Sequence, residues 1–380
     1  MSDTEQKNDT CAEVFEYKAD NGVNEYHVMI HATRPAQTYA EQLAAVRETY
    51  QSLLEGRLKG AVAVFKRFFL SDASNQTDRL MAEFIEASGC ACSVVEQAPL
   101  NGTKVAMWVY LQSNVQTRVL PGGLYEVSHG GYRHLWSGYN FNRAANSESQ
   151  ARLLLSDYAL KLNETGCKLA ENCIRTWFFV QNIDVNYAGV VKARNEVFST
   201  QGLTPDTHFI ASTGICGRHA DPRVSVELDT YAVAGISREQ VHYLYAPTHL
   251  NPTYEYGVSF ERGTYVDYGD RRQVFILGTA SINNRGEVMH PGDIRKQTLR
   301  MWENVEALLK EAECGFEHVG HMIVYLRDPA DYAVVKALYD ERFPRTPKVF
   351  VHASVCRPGW LIEMECMAVR RISNTHFADF

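Results

Sequence analysis

The sequence predicts an α+β protein in which three tandem copies of one module close around a shared axis as an intramolecular pseudotrimer. Three observations predict it. The same order of strand and helix segments recurs three times, particular residues recur at matching places, and each copy reads as an antiparallel sheet with helices for one face only. The bare faces of three such sheets can cover one another around a pseudo-threefold axis. The copies are placed at 1–117, 118–240 and 241–380.

In the first copy, the strands VFEYKAD and EYHVMIHA precede the helix TYAEQLAAVRETYQSLLE. AVAVFKRFFL, a helix ending in LMAEF, and the strands CSVVEQ and TKVAMWVYLQ follow. The second copy repeats this as LYEVSH, YRHLWSGYNF, SESQARLLLSDYALKLNETG, IRTWFFVQNI, YAGVVKARNEVF, THFIAST and VSVELDTYAV. The third runs YGVSFERG, QVFILGTAS, DIRKQTLRMWENVEALLKEA, HVGHMIVYLRD, YAVVKALYDERF, KVFVHASV and WLIEMECMAV. Thr38 with Glu41 and Ser147 with Gln150 have capping-box spacing, and Asp293 can cap the third long helix. Gln42, Gln150 and Gln297 fall early in the three long helices, while Tyr187, Ala188, Glu196 and Phe198 match Tyr332, Ala333, Glu341 and Phe343.

Composition narrows the function classes. Of 380 residues, 45% are hydrophobic and 22% charged, as in ordinary globular proteins. A net charge of -7 argues against a nucleic-acid partner, which usually needs a basic patch, so an anionic ligand must be held by local cations. No apolar run approaches the roughly 18–20 residues that span a membrane. The opening MSDTEQKNDT is too polar for a leader and reads as a frayed tail. Nine cysteines without a CxxC pair, and thirteen histidines without HExxH, point to reduced thiols, a cytoplasmic location and no metal or cofactor. SHGGYRHLWSG lacks both phosphate-loop patterns and reads as a hairpin.

The last strand poses the functional question, because Glu363 and Glu365 face away from the alternating Ile362, Met364, Cys366 and Ala368. The position of Glu363 is taken by Glu227 in the second copy and Ala106 in the first, so the three seams are unequal. Burial raises a carboxyl pKa, and an acid protonated near pH 7 can deliver a proton; the alternative is a pair of glutamates neutralised by cations at a domain seam. Cys356 reads either as an inert buried thiol or as a nucleophile or pocket wall. In ASTGICG, Thr213 and Gly214 either form an anion-binding nest or a plain turn. Arg175 and Arg262 are candidate carboxylate clamps, and Lys348 is either another or an ordinary strand-end lysine.

The stretches GTASINNRGEVMHPGDIRKQT, VYLRDPADYAVVKALYDERF and RPGWLIEMECMAV make the third copy resemble the Rid family, also called YjgF-like or endoribonuclease L-PSP. Its members are usually homotrimers with clefts between subunits, so the resemblance implies three fused Rid-like (chorismate-mutase-like) domains, the first degenerate. IRTWFFVQNI, FIASTGICGR, GTASI…HPGD and CRPGWLIEME make the second and third copies together resemble the chorismatases. That resemblance implies catalytic roles for Glu363, Cys356 and Lys348, with Arg175, Thr213, Gly214, Arg262 and Glu227 binding substrate. Lys348 stands where single-domain members carry arginine, and Ala193-Arg194 replaces a Gly-Arg pair. The implied activity is hydrolysis of chorismate, or a related enol ether acid, to pyruvate and a hydroxybenzoate or dihydroxy acid. Rid-type enamine/imine deamination and non-catalytic binding of a small ligand are the rivals. The expected partner is a small carboxylate-bearing substrate, with no nucleic acid or membrane, and the expected particle a monomeric pseudotrimer.

Overall fold

The computed structural model describes residues 2–6, 9–85 and 89–380. Three six-stranded sheets follow one another along the chain. The first contains β1 (Ser2–Gln6), β2 (Thr10–Tyr17), β3 (Glu25–Ala32), α1 (Tyr39–Glu55), β4 (Ala61–Leu70), α2 (Ala73–Leu80), β5 (Ala91–Glu96) and β6 (Val105–Ser113). The second contains β7 (Gln116–Val119), β8 (Tyr125–His129), β9 (Tyr132–Phe141), α3 (Ser147–Glu164), the short α4 (Leu169–Asn172), β10 (Cys173–Val180), α5 (Ile183–Thr200), β11 (Ala211–Cys216) and β12 (Val226–Ala234). The third contains β13 (Val241–Leu244), β14 (Gly263–Asp267), β15 (Arg271–Ala280), α6 (Ile294–Glu311), β16 (Val319–Leu326), α7 (Tyr332–Arg342), β17 (Lys348–His352) and β18 (Ile362–Arg371).

All three sheets share one spatial order: first, second, third, sixth, fourth and fifth strand. The fourth and fifth strands pair in parallel, with α2, α5 or α7 crossing between them, and the remaining pairs are antiparallel. The repeat extends to single atoms. Gln42, Gln150 and Gln297, each buried, accept a backbone N–H just before the sixth strand through Oε1: from Lys104 at 2.7 Å, Ser225 at 2.7 Å and Leu361 at 3.0 Å. Each donates through Nε2 to carbonyls before its own helix: Arg34, Ala144 and His290. A buried amide thus ties helix start to sheet in every copy, which is why glutamine recurs there.

Several details differ from expectation. Each sheet has one more leading edge strand than the sequence pattern suggested, and Ser2–Gln6 pairs with β2 as one of them, not as a tail. The segment read as the strand YGVSFERG begins at the last residue of a 3₁₀ turn (Thr253–Tyr256) and runs as irregular chain up to β14. Asn146, not Ser147, caps α3 by accepting the Ser149 N–H, which leaves Gln150 for its tying role. Thr38–Glu41 and Asp293 cap α1 and α6 as expected. SHGGYRHLWSG forms the β8–β9 hairpin, where Gly130 and Gly131 both take the positive φ of a type I′ turn.

The inner sheet faces meet in one core to which all repeats contribute, including Phe65, Trp108, Trp136, Trp177, Tyr231 and Phe275. The helices of the first two repeats cover the outer faces of their own sheets with separate clusters. Where the first and third repeats meet, His27 and His321 face each other with Nδ1 atoms 3.1 Å apart, both fully enclosed by aromatic rings. Among the described residues, no helix is long and apolar enough to cross a membrane, and no group of three or more His, Cys, Asp or Glu side chains could hold a metal ion.

Candidate functional site

Sheet register locates the three seams. Ala106, Glu227 and Glu363 stand at one equivalent position, opposite Phe69, Phe179 and Tyr325. Two residues on, Trp108, Asp229 and Glu365 are equivalent, opposite Arg67, Trp177 and Ile323. The period-2 alternation of a strand puts both rows on the inner face. The row containing Glu365 is neutralised. Glu365 accepts from Arg175 at 2.9 Å, Trp177 Nε1 at 2.9 Å and the Thr213 hydroxyl at 2.6 Å, with Arg67 at 3.5 Å. Arg67 also pairs with Asp229 at 2.9 Å, so one buried network links all three repeats.

Glu363 is different. It is 3% exposed and makes no hydrogen bond or ion pair with any described residue. Its carboxyl lies flat over Gly278 on β15, where a Cβ would collide with Oε1. Burial, and then the neighbouring Glu365, push its pKa up to about 8 against the weaker pull of Arg262 and Arg175. The acid is therefore mostly protonated at neutral pH.

Around Glu363 the second and third repeats contribute a small set of largely buried groups. Tyr187 of α5 lies against Gly214, which has no Cβ to obstruct the ring, and its hydroxyl senses Cys356, Arg194 and Glu363. Arg194, two helical turns further on, is fully buried; its guanidinium lies within reach of the Tyr187 hydroxyl without a well-aligned hydrogen bond, and pairs with no carboxylate among the described residues. It lies over Phe260, 5.4 Å from the ring centroid, and Arg262 lies over the same ring at 5.7 Å. Arg262 donates to the carbonyl and side chain of Asn251 at 3.1 and 3.2 Å. It also lines a partly open pocket of about 80 Å³ with Glu261, Phe209, Tyr245 and Tyr254. Burial raises Glu261 to about 7 although it accepts the Phe209 N–H at 2.7 Å.

The structure thus brings Glu363, Cys356, Gly214 and Arg262 together and separates the remaining candidates. Burial, and then Glu363, push the Cys356 thiol up to about 12, which favours the neutral thiol at neutral pH and weighs against a nucleophile's role. Arg175 and Thr213 bond each other at 2.5 Å, and both hold Glu365. Lys348 faces the seam between the third and first repeats. Its Nζ donates to Phe343 O at 3.0 Å and Thr346 O at 3.2 Å and pairs with Glu13 at 3.4 Å, so it does not meet Glu363. Glu227 lies at the seam between the first and second repeats. Burial and Asp229 push its carboxyl well above the usual range, and Oε1 has no partner. That seam is filled by rings: Phe141 opposite Glu227, with His219 at 4.2 Å from Phe141 and 4.8 Å from Tyr139.

The sequence marks Arg194 only through the Ala193-Arg194 pair, which by itself assigns it no role. Its place in a helix beside Ala193 marks a buried face, but a strand of charges along a helix normally points to solvent, and only packing shows that this one is enclosed without a carboxylate partner.

Comparison with known proteins agrees with this architecture. The family model described as Endoribonuclease L-PSP matches residues 260–370. A RutC family protein of Pyrococcus abyssi is 36% identical over 100 residues, covering 26% of this chain and 78% of that protein. The 3-aminoacrylate deaminase RutC of Acinetobacter baylyi is 30% identical over 97 residues, covering 25% of this chain and 77% of that protein. A chorismatase crystal structure superposes with a TM-score of 0.62 at 17% identity, over 81% of this chain and 93% of that one, which is a likeness of fold. By its third repeat, this chain belongs to the RutC family of YjgF-like Rid proteins, arranged here as three Rid-like units in a chorismatase-like fold.

Proposed function

We propose that the seam between the second and third repeats is an enzyme site for a small carboxylate-bearing molecule, with Glu363 as its general acid. One observation carries this reading: the guanidinium of Arg194 is fully buried against the Phe260 ring and the Tyr187 hydroxyl, with no carboxylate among the described residues to pair it. Removing a cation from water costs several kcal/mol, and a structure tolerates that where an anion completes the pair. A substrate carboxylate at Arg194, assisted by Arg262, would supply that anion. Once those cations are neutralised by substrate, less positive charge opposes protonation of Glu363, and the acid is held more fully in its protonated form.

The chemistry that fits a lone protonated carboxyl facing bound carboxylate is protonation of an electron-rich double bond. In an enol ether acid such as chorismate, Glu363 would transfer its proton to the terminal methylene, forming a methyl group and an oxocarbenium. Water attack on that carbon gives a hemiketal, which collapses to pyruvate and a dihydroxy acid. Capture within the substrate instead leaves pyruvate and a hydroxybenzoate with no water consumed. Tyr187, Phe260 and Cys356 would bound the ring and exclude solvent. The chorismatase-like fold favours this version.

The relative named as a 3-aminoacrylate deaminase favours a second one. Protonation of an enamine at carbon by the same acid gives an iminium, and water then releases ammonia. Purified protein assayed with chorismate and with an enamine acid separates the two by pyruvate alone versus ammonia. Arg194→Met abolishing both product release and ligand-induced thermal stabilisation supports the site, and an unchanged Arg194→Met enzyme overturns it.

A further inference from the structure

The first repeat carries two thiols that the fold brings together far from the Glu363 seam. Cys90 directly precedes β5 and Cys92 lies within it, so the two-residue spacing of an extended chain puts both on one face. Their Sγ atoms are 3.8 Å apart, and the Cys92 thiol donates to the Cys90 carbonyl at 3.6 Å. All nine cysteines are thiols, and among the described residues no other two sulfurs make such a contact. Both side chains are partly exposed and line a solvent-open pocket of about 250 Å³ with Met81, Ile85, Gly138 and Tyr139.

A disulfide needs the sulfurs at about 2.05 Å, so each has to move by roughly 1 Å. The local chain permits that movement. β5 is an edge strand of its sheet, bonded there only to β4, and its first paired residue is Ala91. Gly89, with φ of +55°, gives the backbone before Cys90 a freedom that other residues lack.

We propose that Cys90 and Cys92 form a redox-active dithiol, a covalent modification site that takes small-molecule disulfides of the glutathione class. One thiolate attacks a sulfur of the small disulfide, breaking its S–S bond and releasing one small thiol, which takes up the proton lost. The second thiolate then attacks the protein-side sulfur of the mixed disulfide, expels the second small thiol and closes the ring. Two protein thiols are oxidised, one small disulfide is reduced to two thiols, and no other oxidant is needed.

Ring closure has a structural readout. The Cys92 carbonyl occupies the space a side chain would need on Gly138 of β9, so β5 seals the seam between the first and second repeats. Drawing Cys90 towards Cys92 tilts that strand. It loosens this seam and leaves the Glu363 seam unaltered.

The test incubates the full chain in mixtures of oxidised and reduced glutathione, alkylates remaining thiols, and maps peptides by mass. The expected result is loss of two hydrogens and of two alkylatable thiols from the segment bearing Cys90 and Cys92, with no retained glutathione. Hydrogen exchange is then faster in β5 and β9 and unchanged in β18. Cys90→Ser and Cys92→Ser, which lack the resolving thiol, each accumulate one glutathione on the remaining cysteine. Stable glutathione adducts on the wild-type pair, or thiols that stay fully alkylatable while Cys11, Cys216 or Cys356 react, overturn the proposal.

Discussion

Replacing Glu363 with glutamine tests the state of the central acid, because the two side chains have nearly the same shape and only one can ionise. In the folded protein the carboxyl titrates at about 8, against an ordinary value of 4.5. Above pH 4.5 the unfolded chain gives up its proton while the folded one keeps it, so native stability falls as pH rises and levels off only above pH 8. Each pH unit in that window is worth about 1.4 kcal/mol, which makes the penalty roughly 3 kcal/mol at pH 7. Glu363→Gln removes it. The variant should match wild type near pH 4, exceed it by about 3 kcal/mol at pH 7, and release no product at any pH. Urea denaturation of both proteins between pH 4 and 9 reads the difference directly. Parallel stability curves, with no growing advantage for glutamine, would refute the claim that this carboxyl is buried and protonated.

Four further outcomes follow from named contacts. Arg194→Met exchanges a buried cation that has no carboxylate partner for an apolar chain, so stability should hold or rise by about 1–4 kcal/mol in thermal denaturation while carboxylate binding is lost. Gly278→Ala should displace the Glu363 carboxyl, lowering stability by about 1–3 kcal/mol and turnover with it, as melting and product assays would show. Lys348→Met removes one of the partners of half-buried Glu13, which keeps His31 at 3.2 Å and the residue-348 N–H at 3.1 Å, and should destabilise by about 1 kcal/mol with kcat per folded molecule unchanged. Burial holds His27 down to about 3 and His321 well below its usual value, so folded histidines take up protons later than unfolded ones. Stability should therefore fall as pH drops below about 6.5, and His27→Gln should flatten that acid slope by about one proton.

The repeat was legible because it rests on local chemistry. Capping residues, helix-start glutamines and strand order each depend on a few neighbouring residues, and Gln42, Gln150 and Gln297 do the same atomic work in all three copies. The equivalence of Ala106, Glu227 and Glu363 was legible for the same reason, since counting along a strand fixes register. What one strand faces across a seam is not local. Lys348 and Glu363 sit in the same repeat on neighbouring segments, yet the ring arrangement points them at different partners, Glu13 of the first repeat and Tyr187 and Arg194 of the second. Glu365 and Glu363, two residues apart on one face, differ only in whether cations from other repeats reach them. The Ala193-Arg194 pair was visible in the sequence, but nothing in its helix announces that the space around Arg194 is closed.

The central claim is that one seam of three holds the substrate. A crystal structure of the Glu363→Gln protein soaked with chorismate tests it most directly. The account predicts a carboxylate on the Arg194 guanidinium and a ligand double bond against residue 363. Ligand bound instead beside Lys348 and Glu13, or beside Glu227, would contradict it.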